Sequence, residues 1–240
     1  SSAVHFLQPL EGANLAMGTV FGANMMNVSK LTLIIALLGG RDFFQLLSND
    51  QRILAAIALA LTIATFFLSI IGMDFRWLFL SPATLIILFL YFISQRCLMR
   101  WSSNLNTAHE TKPDRSLRWA WLVFLLSAIA VFVAAPFLAI SASNIADRTG
   151  FGESFIGVLG VALVTSLPEL ASTITAIKIK SPDLAVATIY GTNAFNIAIL
   201  GVSDMFYPSG SIFSHIDTGS LLACIFAIIL GTLGTMQIML

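Results

Sequence analysis

Asn14-Leu-Ala-Met-Gly-Thr-Val-Phe-Gly22-Ala-Asn24-Met-Met-Asn27 returns 169 positions later, without a gap, as Asp183-Leu-Ala-Val-Ala-Thr-Ile-Tyr-Gly191-Thr-Asn193-Ala-Phe-Asn196. Leu, Ala, Thr, Gly and two Asn recur at matched places. Self-similarity of this kind decides an architecture once the direction of each copy is known. Gly22 and Gly191 permit close helix approach or a local break. Asn24, Asn27, Asn193 and Asn196 bring carboxamides into apolar runs, where an unpaired polar atom is costly. Asn193 and Asn196 stand three residues apart, so they share broadly one helix face.

The chain that holds these copies is 58% hydrophobic and 10% charged over 240 residues, with mean hydropathy +0.91. Soluble chains carry about 25% charged residues. This composition is that of an all-α polytopic membrane protein whose first partner is the lipid bilayer, in a cell or inner membrane. A formal net charge of zero offers no nucleic-acid footprint. Seven apolar segments run over 13–39, 53–73, 77–95, 117–140, 154–177, 183–206 and 219–240. Each is near the ~20 residues that cross the hydrocarbon core. Pro82 falls near the start of the third, where proline is tolerated.

Charges between the segments give direction. Arg41 and Arg52 follow the first segment, Arg96, Arg100, Lys112, Arg115 and Arg118 the third, and Lys178 and Lys180 the fifth. The opposite side holds Arg76 and Arg148. Nine basic residues against two put the first group in the cytoplasm. Segments one and six therefore cross in opposite directions, and the repeat is inverted. Secondary transporters built this way hold substrate near the midplane, between the repeats. Residues 101–116 (WSSNLNTAHETKPDRS) read as a short cytoplasmic connector. Residues 1–100 then form the remainder of a first repeat with three spans, and 117–240 a second repeat with four.

Glu169 lies in Thr165-Ser166-Leu167-Pro168-Glu169, and the run from Phe155 to Ile177 is otherwise uncharged. An ionisable side chain at that depth costs roughly 2.5–3.5 kcal/mol on insertion scales and marks a functional site by default. Pro168 breaks the hydrogen-bond ladder beside it and frees backbone carbonyls. A carboxylate, hydroxyls and freed carbonyls suit a hard cation. The bland alternative is a protonated Glu bonded to a carbonyl. For Thr165 and Ser166 it is back-bonding to the preceding turn. Asn24 and Asn193 read equally as ion ligands or as braces for a broken helix. Asp183 reads as an N-terminal cap, and Lys30 as a residue near a span end or a snorkelling one. The same offset of 169 carries Glu169 to a position just upstream of Ser1, so its partner helix is expected outside this chain, which also opens without an initiator Met.

These motifs resemble the sodium/calcium exchanger (cation/Ca²⁺ antiporter) superfamily. Its second repeat carries a GTSLPEL-like motif, here Val164 to Leu170, and then a G-N-x-x-G-S-N-x-F-N/D-like motif, here Ala187 to Asn196. The resemblance implies an inverted-repeat exchanger fold with ten spans, of which about seven are present and the last helix is missing. It implies that Glu169 is the central carboxylate shared by Ca²⁺ and Na⁺. By position it gives metal-ligand roles to Thr165, Thr192, Asn196 and Asn27, with Asn193 and Asn24 beside them. Ala23 stands where the family has a hydroxyl, and Asn196 stands where some members have Asp. The implied activity is Ca²⁺ extrusion coupled to Na⁺ entry, without a cofactor. The alternatives are an H⁺-coupled Ca²⁺ or other divalent-cation exchanger, or a cation channel. An intramembrane enzyme would need a base beside Ser166, and no His or central Lys supplies one.

Overall fold

In the computed structural model the described residues are 9–39, 43–72, 80–102, 117–151, 153–207, 210–214 and 216–239. Within them every long element is a helix, since in lipid a helix satisfies its own backbone. Helix α1 covers Pro9–Ile34 and runs on through a π turn, Ile35–Gly39. Next come α2 (Asn49–Ile71), α3 (Pro82–Ser102) and α4 (Leu117–Thr149). The fifth span is broken into α5 (Glu153–Ile156), a π turn (Gly157–Val161), α6 (Ala162–Thr165) and α7 (Leu167–Lys178). Helices α8 (Pro182–Phe206) and α9 (Thr218–Met239) complete the chain. Each of the seven expected segments falls mainly on a helix over its described residues, while positions 73, 77–79 and 240 of those segments and most of the connector, 103–116, lie outside the described residues. Among the described residues five helices are long and apolar enough to cross a membrane alone, and the bent pair makes a sixth if it counts as one span; the expected fourth segment enters only as the shorter apolar stretch Leu117–Ser127. This is a multi-pass membrane protein.

The helix ends follow local chemistry. Ser81 accepts the Thr84 N–H at 3.1 Å on its hydroxyl, with Pro82 next in the chain, so α3 starts there rather than at 77. Helix α2 stops on Gly72 at φ +62°, whose N–H reaches the Leu68 carbonyl. Helix α4 runs to Thr149, beyond the expected 140, and stops before Gly150 at φ +73°. Asp183 departs from expectation. Instead of capping α8 it accepts the Ser48 N–H at 2.9 Å, tying the entry of α2 to the start of α8. Cys97 and Cys224 are both free.

Helices α1, α2, α8 and α9 form the packed centre. Its fully buried side chains include Met17, Phe21, Ile189, Tyr190 and Ile197. Phe21 and Tyr190 are themselves repeat mates, so the inverted copies form the heart of the bundle. Helix α4 packs on α5 and its π turn, and it exposes Trp121, Phe124, Leu125 and Leu126. A hydrophobic face of this kind suits lipid.

Candidate functional site

Helices α1 and α8 meet through four carboxamides. Asn24 Nδ2 donates to the Asn193 carbonyl at 3.2 Å, and Asn193 Nδ2 donates to the Asn24 carbonyl at 3.2 Å. Asn27 Nδ2 donates to Asn193 Oδ1 at 2.9 Å, and Asn196 Nδ2 donates to Asn24 Oδ1 at 2.9 Å. The offset of 169 converts each bond into its mate. The repeat read from sequence is therefore a local two-fold in the hydrogen bonding. Backbone carbonyls only accept, which fixes the orientation of the Asn24 and Asn193 amides. Their Oδ1 atoms then accept from Asn27 and Asn196, whose own oxygens are left over. Asn27 is fully buried and its Oδ1 has no partner.

A second cluster lies along α1 and the break between α6 and α7. The span bends by 48° there. Pro168 is the cause, since it cannot donate to the Val164 carbonyl. Glu169 follows in the first turn of α7. It is half-buried, and its Oε2 is buried with no hydrogen-bond partner. Ser166, only 2% exposed, donates to the Ala162 carbonyl at 2.6 Å. Thr165 donates to the Val161 carbonyl at 2.9 Å. Both hydroxyls back-bond as their bland reading expected, yet each oxygen keeps a lone pair. Lys30 crosses from α1 to this break and donates to the Ser166 hydroxyl, and to the Ser166 carbonyl at 3.3 Å. It also lies within electrostatic reach of Glu169. Asn27 and Lys30 are three apart on α1, so the two clusters adjoin along one helix face. Thr192 is half-buried on α8, beside Asn193.

Glycine sets the closeness of α1 to the broken span. A Cβ on Gly22 would lie 2.6 Å from Val158 Cα and 2.9 Å from its carbonyl oxygen. The matched Gly191 has nothing within 4 Å among the described residues. Among the described residues, too, no three His, Cys, Asp or Glu side chains come together. A cation held here would rest on amide, hydroxyl and carbonyl oxygens with one carboxylate, a donor set for a hard ion.

Two groups escaped the sequence reading. One is Lys30: expected near a span end, with no Lys beside Ser166, it instead donates to the Ser166 hydroxyl from 136 positions away, which corrects that expectation. The other is Asp204, fully buried near the end of α8. It accepts from Ser81 at 2.7 Å, Ser211 at 2.9 Å, Thr84 and the Ile212 N–H. This knot joins α3, α8 and the turn before α9. The available signal was a single Asp after the uncharged run 184–203.

Residues 119–239 match the family described as "Sodium/calcium exchanger protein". The chain is 29% identical over 204 residues to the inner membrane protein YrbG of Escherichia coli, covering 82% of this chain and 62% of that protein. It is 34% identical over 89 residues to the sodium/calcium exchanger MaX1 of Methanosarcina acetivorans, which is 37% of this chain and 25% of that one. It is 28% identical over 126 residues to the Ca²⁺/H⁺ antiporter ChaA of Bacillus subtilis, which is 50% of this chain and 36% of that one. The chain thus spans less than two thirds of each of these relatives. No solved structure matches.

Proposed function

The chain belongs to the sodium/calcium exchanger family, and on that premise we propose that it forms part of a secondary cation/Ca²⁺ antiporter. The ions pass along the seam of α1, α7 and α8. The observation that carries this is a pair of buried oxygens without partners, Asn27 Oδ1 and Glu169 Oε2, on facing elements. Leaving a buried acceptor unmade costs about 1–3 kcal/mol, and a passing cation supplies what both lack. Glu169 is the charged ligand. Asn27 and Asn196 offer amide oxygens, and Thr165 and Thr192 hydroxyls. Asn24 and Asn193, with their side chains engaged in the clamp, act as braces rather than ligands.

The local two-fold supports a paired site. Helix α5–α7 covers Gly22, and an equivalent broken helix carrying a second carboxylate is proposed to cover Gly191 in the full transporter. The remaining residues keep the division into first repeat (1–100), connector (101–116) and second repeat (117–240). Na⁺ is the proposed counter-ion, entering as Ca²⁺ leaves the cytoplasm. The likeness to a Ca²⁺/H⁺ antiporter supports H⁺ as the alternative. The two ion types compete for overlapping oxygens, and the repeats rock about them. Gradient-driven Ca²⁺ flux through the purified full-length protein in liposomes tests this. Flux under an imposed Na⁺ or H⁺ gradient is expected, and its absence under both would refute antiport.

A further inference from the structure

Lys30 breaks the symmetry on which the rest of the site is built. Its repeat mate is Ile199, so only one side of the two-fold carries an ammonium. That ammonium does not reach out to solvent along a helix end. It turns to the break in the fifth span and binds both oxygens of Ser166, the hydroxyl and the 3.3 Å carbonyl. Those are neutral oxygens at a helix break, next in the chain to Thr165 and three residues from Glu169. A sodium ion would seek the same kind of group. The Glu169 carboxylate lies within electrostatic reach, while its Oε2 stays without a hydrogen bond.

We propose that Lys30 is a tethered monovalent cation of the Glu169 site, held on Ser166 so that its ammonium takes the place of one free Na⁺. This rests on the ion path proposed above. An arriving Na⁺ must displace or repel the ammonium. Like charges held on the same oxygens repel, and that repulsion is expected to weaken Na⁺ binding about tenfold.

The test is thermal protection of the full-length protein in detergent by NaCl, with choline chloride holding ionic strength constant. Lys30→Met removes the charge and the tether, Lys30→Gln keeps a donor to Ser166 without charge, and Lys30→Arg keeps the charge. Both neutral variants are expected to reach half-maximal protection at about tenfold lower Na⁺ or less. Lys30→Arg is expected to keep the wild-type midpoint. Neutral variants that keep the wild-type Na⁺ midpoint would overturn the proposal. So would failure of both neutral variants to accumulate as folded protein while Lys30→Arg folds, since Lys30 would then be a brace. Loss of Na⁺ and Ca²⁺ protection in the wild type itself would instead remove the ion path, and this inference with it.

Discussion

Asn24 and Asn193 each place their side-chain nitrogen on the other's backbone and their oxygen under a second amide. Truncating either one removes two bonds between α1 and α8 and leaves the Asn196 or Asn27 amide without its acceptor. Asn193→Ala and Asn24→Ala are each expected to cost about 2–4 kcal/mol, read as a fall in thermal midpoint. The double variant should cost less than the sum, because both remove the same clamp. Glu169→Gln should act differently. It keeps the shape and removes the charge, so Ca²⁺ affinity is expected to fall by about a hundredfold or more with little change in folding. Titrating Ca²⁺ protection against unfolding separates the two classes. The Asn pairs were legible in the sequence because the repeat aligned them, although whether Asn24 and Asn193 bind or brace was not. That distinction depends on which carbonyl each amide meets. Lys30 was singled out, but its contact with Ser166 was not legible, since the partners lie 136 positions apart and an isolated Lys carries no periodicity.

At the scale of elements, the fifth span is held by a proline break on one side and a glycine contact on the other. Pro168 in an apolar run was enough to anticipate the break, whereas the π turn at Gly157–Val161 left no sequence signature. Gly22 sits on the backbone of that turn, which cannot yield as a side-chain tip can. Gly22→Ala is therefore expected to cost about 1–3 kcal/mol as α1 is pushed away, measured as a lowered thermal midpoint. Gly191→Ala meets only open space among the described residues. If the full transporter seats a matching broken helix there, Gly191→Ala in that protein should lower the midpoint about as much as Gly22→Ala. A harmless Gly191→Ala in the full protein would count against the paired helix.

Over the whole molecule, the order of the apolar segments agreed with the helices found, because twenty-residue apolar runs are long-range signals of composition. The Asp204 knot was invisible for the opposite reason, since Ser81, Thr84 and Ser211 converge on it only after folding. Asp204→Asn would put an amide among those donors and is expected to destabilise the bundle by about 2–4 kcal/mol, again seen as a lower thermal midpoint. The account as a whole turns on ion movement past Glu169. The most direct measurement is Ca²⁺ flux in liposomes holding the full-length protein, wild type beside Glu169→Gln, under imposed Na⁺ and H⁺ gradients. Gradient-driven flux in the wild type that is lost in a folded Glu169→Gln variant is the result expected. Equal Ca²⁺ flux in the two proteins would contradict it.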